Sequence, residues 1–191
     1  MWKKIWHFIW YEDSFASWIV NLVISFVLVK WVIYPGIGFL LSTSYPIVAV
    51  VSSSMEHNGQ GFDQWWQFRG AWYEQRKLTK EAFSSYPFKN GFNKGDIMVL
   101  MGIKPKDIKV GTVVVYENPK FQNPIIHRVV TIEEENGNFA FTTKGDNNYD
   151  VDSAKVTAQH IQRTGRAVLR VPFLGWVKIW FVQLIGAVSI K

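Results

Sequence analysis

The sequence contains no cysteine, and only four of its 191 residues are histidine. The lack of cysteine excludes a disulfide scaffold, a cysteine nucleophile and a thiolate metal site. Charge is also scarce: 19% of the residues are charged and 48% are hydrophobic, which excludes intrinsic disorder. At this length the chain is expected to hold one domain with attachments. Its net charge of +6 suits nucleic acid or anionic lipid, and the apolar pattern favours lipid.

The longest stretch that is poor in charge covers residues 14–55, where Lys30 is the only charged residue. Residues 15–34 are apolar, and at about 1.5 Å per residue they span roughly 30 Å, the thickness of a bilayer core. We therefore predict an uncleaved transmembrane helix over 15–34 that ends at Pro35-Gly36. A soluble core helix and a cleaved signal peptide fit less well, because the run is long and acidic residues precede it.

Both ends of the chain are rich in tryptophan. Seven of the ten tryptophans lie in residues 1–31 or 176–180. The first ten residues place tryptophan and isoleucine on one helical face, so residues 1–14 are predicted to form an amphipathic tail in the membrane interface. Residues 176–191 are predicted to form an apolar, membrane-associated C-terminal segment. Lys178 favours surface or partial insertion of this segment over spanning.

Between the two ends, short apolar runs alternate with turn residues, which is typical of strands. The predicted strands cover residues 45–51, 96–101, 112–116, 125–133, 138–143 and 167–172. Asn136-Gly137 between two alternating runs is the strongest hairpin signal. The prediction is a mainly β fold, a membrane-anchored antiparallel β domain over residues 45–175 with an N-terminal transmembrane helix.

Residues 58–93 are out of keeping with the strands because they contain few β-branched residues. Aromatic residues stand there among Gln, Arg and Glu, and Thr79 before Lys80-Glu81 has the pattern of a helix N-cap. We predict a mostly helical insertion in the β domain. Its aromatic side chains fit three roles: a small core of their own, a lid over a cleft, or a surface that dips into the membrane.

Three polar segments interrupt the strands with reactive side chains. Residues 52–57 read SSSMEH, His127-Arg128 lie inside a strand, and residues 143–148 read TKGDNN, with Asp150 and Asp152 following. A serine nucleophile needs a base to remove its proton, and a histidine base works best when a carboxylate holds its tautomer. Serine, histidine and aspartate are all available. The aspartate-rich turn also fits an Asx-turn cluster or a weak Ca²⁺ site.

In combination these segments resemble the type I signal peptidases of the archaeal and endoplasmic-reticulum kind, the membrane-anchored serine proteases that remove signal peptides. The motifs YPIVAVVSSSMEH, GFNKGDIMVL, IIHRVV and TKGDNN match the boxes of that family in order, and RVPFLGWV resembles its closing strand. The resemblance covers roughly residues 45–177, with the insertion unmatched by shorter members. It implies a signal-peptidase-like fold and a serine endopeptidase that cleaves exported preproteins after small residues.

The resemblance also implies the roles of individual residues. Ser54, which precedes the methionine, is the implied nucleophile, and His127 is the implied general base. Asp152 is the favoured triad partner, and Asp146 is the second candidate, which otherwise shapes the turn. Ser52 is the implied oxyanion donor.

One residue departs from the family pattern. Where the family commonly has proline, this chain has His57, a second histidine three residues after the implied nucleophile. The match nevertheless assigns the base to His127.

The resemblance implies no cofactor and no metal. The implied partners are signal-peptide-bearing preproteins, the lipid bilayer and membrane subunits that the sequence does not identify; nucleic acid is not among them. The implied location is the cell membrane or the endoplasmic-reticulum membrane, with a single span and the catalytic domain outside the cytoplasm.

Two alternatives to this function stay open. One is a non-enzymatic, membrane-tethered β module that binds a partner through its aromatic insertion. The other is a related protease with a Ser-Lys dyad that uses Lys144. The first needs no reactive serine, and the second would survive loss of His127.

Overall fold

The computed structural model describes residues 1–119, 121, 123–161 and 163–188. The chain divides into two compact units, Met1–Leu40 and Leu41–Lys191. The helices are α1 (Trp2–Trp10), α2 (Phe15–Leu28), α3 (Tyr34–Leu40), α4 (Phe62–Glu74), α5 (Lys80–Ser84), α6 (Ala158–Ile161) and α7 (Trp176–Val188). The strands are β1 (Ile47–Ala49), β2 (Ile97–Met101), β3 (Val113–Tyr116), β4 (Ile125–Glu135), β5 (Asn138–Lys144), β6 (Val156–Thr157) and β7 (Gly165–Val171).

In the first unit, a π-helical turn at Val29–Ile33 joins α2 to α3, so one helix runs from Phe15 to Leu40. It is the one helix in the described residues that is long and apolar enough to cross a membrane. The predicted end at Pro35-Gly36 is wrong. The N–H of Tyr34 bonds to the carbonyl of Val29, five residues back. We attribute the continuation to this wider turn, which makes room for a proline ring that would otherwise clash with the helix.

Helix α1 is fastened to α2 by side-chain hydrogen bonds. The hydroxyl of Ser17 donates to the Phe8 carbonyl, and Nδ2 of Asn21 donates to the Ile9 carbonyl at 2.8 Å. The last carbonyls of a helix have no partner within it, so these bonds satisfy groups that would otherwise need water. Residues Trp2–Trp10 are thus helical, while the amphipathic tail over residues 1–14 in the membrane interface stays a prediction.

The strands of the second unit form one antiparallel sheet, in the order β1-β2-β7-β3-β4-β5-β6. Each of the six predicted strands is present, with its ends shifted by at most about two residues. Strand β6 was not predicted, because two residues carry no readable periodicity. The β4–β5 hairpin turns at Asn136 and Gly137, whose φ angles of +50° and +77° are those of a type I′ turn. The mainly antiparallel β fold is thus confirmed.

Strand β3 runs through the middle of the sheet and serves two hydrophobic cores. Its residues Val113 and Val115 pack into one buried cluster, and Val114 and Tyr116 pack into another. Alternate residues of a strand face opposite sides, so the sheet is covered on both faces here. Because β3 is packed on both faces, it holds the paired strand β4 in a fixed position, and with it the polar side chains that β4 carries.

The predicted helical insertion is also confirmed, and it contains α4 and α5. Its buried aromatic residues form a third cluster that includes Val130 of β4; they are Trp65, Trp66, Tyr73 and Phe83. The register between β4 and β5 shifts between Val129 and Thr131, which leaves Val130 outside the regular pairing. Of the three roles open to these aromatics, a small core of their own is the observed one. Phe68 is the exception, since it is 69% exposed.

Helix α7 occupies most of the predicted apolar C-terminal segment, of which residues 189–191 lie outside the described residues. Val177, Trp180 and Phe181 of this helix are exposed. Its contact with a membrane stays a prediction.

Candidate active site

The segment that carries Ser54 is a short loop held at both ends by buried residues. Val50 is buried after β1, and its N–H bonds to the Asp96 carbonyl at 2.9 Å. Met55 is fully buried, and its carbonyl accepts the N–H of Phe92 at 3.1 Å. The three serines between them stay near the surface because the flanking apolar side chains are drawn into the core. Val50 thus belongs to the hydrophobic core and does not face a surface pocket.

His127 lies between Ser54 and Asp152. Its Nε2 atom is 3.0 Å from Oγ of Ser54, and its Nδ1 atom is 2.7 Å from Oδ2 of Asp152. With the Nδ1–H tautomer, the histidine donates to the carboxylate and offers Nε2 to accept the serine proton. The histidine comes from β4, and its two partners come from the loops that follow β1 and β5.

The carboxylate of Asp152 receives two further hydrogen bonds. The hydroxyl of Tyr116 donates to Oδ2 at 2.8 Å, and that of Thr143 donates at 2.6 Å. Burial raises the pKa of Asp152, but the bonds and charge of His127 and the two hydroxyls outweigh it and hold this pKa below the usual value. Burial and the nearby carboxylate raise the pKa of Tyr116, so its hydroxyl keeps its proton.

Asp146, the second candidate, is completely buried and bonds to Arg128. Two parallel bonds join the side chains, Nε to Oδ1 at 2.9 Å and Nη2 to Oδ2 at 2.7 Å. Burial raises the pKa of Asp146, but the charge and hydrogen bonds of Arg128 dominate and hold it far below the usual value. The remaining donors of Arg128 reach the carbonyls of Pro87, Gly111 and Phe88. Asp146 thus belongs to an ion pair and not simply to an Asx turn.

Ser52 lies where it can assist the nucleophile. Its Oγ atom is 3.1 Å from Oγ of Ser54, and both hydroxyls lie on the exposed side of the loop. A hydroxyl at this distance can also reach an oxygen that develops on a carbonyl attacked by Ser54.

The two other candidate groups face away from the serine. His57 is buried, stacks on Trp65 at a ring distance of 3.9 Å, and directs Nε2 toward Asp146 at 3.4 Å. The ammonium of Lys144 bonds to the hydroxyl of Tyr73 and the carbonyl of Gly145. Burial lowers the pKa of Lys144 to about 8. On β5 it alternates with Thr143, which faces Asp152, so Lys144 points to the other face. This geometry counts against a Ser-Lys dyad.

Several residues of this site were not singled out from the sequence. Tyr116 and Thr143 are ordinary strand residues in sequence, and only the pairing of their strands brings both to Asp152. Gly145 lies in the aspartate-rich turn of residues 143–148. A side chain there would place its Cβ 2.7 Å from the Ser54 carbonyl oxygen and 2.9 Å from Nε2 of His127. Within the described residues, no group of three or more His, Asp or Glu side chains converges as metal ligands would.

Comparison with known proteins gives a consistent set of relatives. The Signal peptidase complex catalytic subunit SEC11C of Homo sapiens is 28% identical over 165 residues, which cover 83% of this chain and 67% of that protein. The SEC11 subunit of Scheffersomyces stipitis is 28% identical over 159 residues, 80% of this chain and 75% of that protein. Its counterpart in Schizosaccharomyces pombe is 28% identical over 156 residues, which cover 78% of this chain and 74% of that protein. No family model matches the chain. These relatives bear the name that the motifs led us to expect.

Proposed function

We propose that this chain, a SEC11-like member of the type I signal peptidases, is a membrane-bound serine endopeptidase that cleaves signal peptides from exported preproteins after small residues. The observation that carries the proposal is the continuous line of hydrogen bonds from Ser54 through His127 to Asp152. A serine, a histidine and a partly buried carboxylate in this order and at these distances are the parts needed for acyl transfer.

In the proposed reaction, Nε2 of His127 takes the proton of Ser54 as its Oγ attacks the carbonyl carbon of the last signal-peptide residue. The oxyanion is held by the Ser52 hydroxyl and the Ser54 N–H. The histidine then gives its proton to the departing amine of the mature protein, which leaves an ester on Ser54. Water that is deprotonated by the same histidine hydrolyses this ester and returns the serine hydroxyl.

Asp152 has a positioning role in this scheme. It receives Nδ1–H of His127, which keeps Nε2 free to accept a proton and stabilises the imidazolium that forms. The hydroxyls of Tyr116 and Thr143 hold the carboxylate in one orientation. Asp146 is assigned to the ion pair with Arg128 and takes no part in the proton transfers.

The substrate is proposed to bind as an extended strand. Strand β1 leads into the Ser54 loop, and in the described part of the sheet it pairs on one side alone, with β2. An extended peptide can add to such a free edge through main-chain hydrogen bonds, with side-chain pockets supplying specificity. Ile47 and Val48 of this strand are partly accessible and would bound the shallow pockets that small residues require.

Membrane attachment fits this substrate. We assign the apolar part of the helix Phe15–Leu40, with residues 15–34 as its membrane-spanning core, to a single anchor in the cell membrane or endoplasmic-reticulum membrane. Residues 1–14 and 176–191 would lie at the membrane surface, and the catalytic β domain, residues 45–175, outside the cytoplasm. A signal peptide presents its apolar part in the bilayer, so a tethered serine meets the cleavage site at a high local concentration.

The relatives are catalytic subunits of a signal peptidase complex. We propose by extension that this chain also has partner subunits in the membrane.

The proposal is tested by cleavage of a preprotein that carries an apolar signal segment and an Ala-x-Ala site, in detergent, with the full-length chain. We expect wild type to cleave after the second alanine and Ser54→Ala to be inactive. Ser53→Ala is the matched control, because it removes a neighbouring hydroxyl from the same loop, and it should cleave normally. Cleavage by Ser54→Ala, or none by wild type, would contradict the proposal.

A further inference from the structure

The insertion, residues 58–93, contacts each of the three segments that supply the candidate triad. These are the nucleophile loop (residues 52–57), the acidic loop (residues 144–152) and the base strand β4. On α4, the side chains of Trp65, Arg69 and Tyr73 follow each other at four-residue intervals and so lie on one face of the helix. The ring of Trp65 stacks on His57, three residues after Ser54, with an interplanar angle of 4°. This stack ties α4 to the nucleophile loop.

Tyr73 makes the second connection, to the acidic loop. Its hydroxyl accepts a hydrogen bond from Nζ of Lys144 at 3.3 Å and donates one to Oδ1 of Asp146 at 3.4 Å. The hydroxyl is buried with both partners. It therefore holds the residues on either side of Gly145.

Gly145 is the point at which this contact reaches the reacting atoms. Its Cα lies so close to the triad that a Cβ would approach Nε2 of His127 and the Ser54 carbonyl within 3 Å. Two residues after Gly145 there is a second contact with this loop, since the N–H of Asn147 donates to the Ser54 carbonyl at 2.8 Å. Movement of the 144–146 backbone by a few tenths of an ångström would thus be transmitted to Ser54 and His127.

A third connection reaches the strand of the base. Arg128, which follows His127, donates to the carbonyls of Pro87 and Phe88 at the end of the insertion, at 2.8 and 3.0 Å. Its guanidinium also lies over the ring of Phe83, 4.7 Å from the centroid. The insertion therefore touches the nucleophile loop, the acidic loop and the base strand at once.

We propose that the insertion is an internal brace that sets the relative positions of Ser54, His127 and the acidic loop, with Tyr73 as its positioning residue. The role rests on the proposed function, in that the positions it sets are those of the proposed acyl transfer. It distinguishes the insertion from a lid and from a membrane-binding surface, because the side chains concerned face inward and are buried.

The test is Tyr73→Phe in the full-length chain, which removes the hydroxyl and keeps the ring. Glu74→Ala is the matched control: it removes the acceptor of the Trp66 Nε1 bond within α4, an internal bond that touches none of the three segments. For each variant we would measure kcat and KM for the model preprotein. We would also measure Ser54-dependent hydrolysis of p-nitrophenyl acetate, whose burst counts the competent sites.

We expect Tyr73→Phe to lose about tenfold to a hundredfold in turnover per competent site on both substrates, with KM for the preprotein changed less than about twofold. Glu74→Ala should keep wild-type turnover per site.

Fewer competent sites with unchanged turnover per site in Tyr73→Phe would show that Tyr73 has only a structural role. A raised KM at constant kcat would show that the insertion is a substrate-binding element. Either result would overturn the brace. If wild type hydrolyses the ester through Ser54 but leaves the preprotein intact, the proposed function fails while the ester rates still decide the brace.

Discussion

Arg128 and Asp146 form a completely buried ion pair with two parallel hydrogen bonds, next to His127 in sequence but on the other side of strand β4. The pair uses the aspartate that the sequence offered as an alternative partner for His127. The histidine instead bonds to Asp152, at 2.7 Å. Adjacent strand residues face opposite sides, so the two aspartates serve two neighbouring residues on different faces.

Ser54 and His127 are expected to act as one unit. Linked members of a triad fail together, so Ser54→Ala, His127→Ala and the double variant should each lose about 10⁴-fold or more in kcat, with no added loss in the double variant. The measurement is kcat on the model preprotein. Full activity in His127→Ala beside an inactive His57→Ala would transfer the role of base to His57.

Asp152→Asn should be folded and nearly inactive. Asparagine fills the same space but favours the wrong histidine tautomer, and this change is expected to cost about 10⁴-fold in turnover. Thermal unfolding in detergent is the accompanying measurement, since the expected loss of rate comes without loss of the folded state. Normal turnover in Asp152→Asn would remove it from the triad.

Asp146→Asn should act mainly on stability. It leaves the charge of Arg128 buried and unpaired, which typically costs about 3–5 kcal/mol. Glu133→Gln is the comparison, because it breaks an exposed pair with Lys155, and such pairs contribute less than about 1 kcal/mol. We expect a large fall in the unfolding midpoint for the first variant and almost none for the second. Equal midpoints would show that the buried pair is dispensable.

The lowered pKa of Lys144 leads us to expect that the free energy of unfolding increases at alkaline pH. Its folded-state pKa of about 8 lies below the value of about 10.4 in an unfolded chain. Above pH 8 the unfolded chain therefore binds more protons, and stability rises with pH, by up to about 1.4 kcal/mol per pH unit, until tyrosines ionise near pH 10. Lys144→Met should lack this rise when unfolding is followed from pH 7.5 to 9.5. An identical pH dependence in both proteins would contradict the lowered pKa.

The topology can be tested with a single cysteine, because the chain has none of its own. Glu135→Cys introduces an exposed thiol beside the β4–β5 turn and spares the positive φ angles of Asn136 and Gly137. We expect an impermeant thiol reagent to label it from outside the cytoplasm in intact cells or sealed vesicles. Labelling from the cytoplasmic side alone would reverse the orientation.

The sequence by itself determined those structural features that depend on residues close together in the chain. A long apolar run is enough for a helix, alternation is enough for most strands, and Asn136-Gly137 is enough for a hairpin, because each signal lies within a few residues. Ser54 and His127 could be singled out in the same way, since the short motifs around them carry the family resemblance. The end of the helix at Leu40 could not be predicted from the sequence. The wide turn before Pro35 is a backbone adjustment that no residue pattern indicates.

Tertiary structure decided which aspartate bonds to His127. Asp146 and Asp152 lie six residues apart in one polar segment, and the family resemblance favoured Asp152 but left Asp146 as a second candidate. Their partners depend on the register of β4 against β5, which sets Arg128 opposite Lys144, and on the alternation that turns His127 to the other face. The contacts of the insertion likewise could not be predicted from the sequence. Its aromatic residues indicated a cluster in the sequence. Only the packing against β4 and the two loops shows that Trp65 and Tyr73 point inward. Such contacts join residues tens of positions apart in the chain, so no local pattern indicates them.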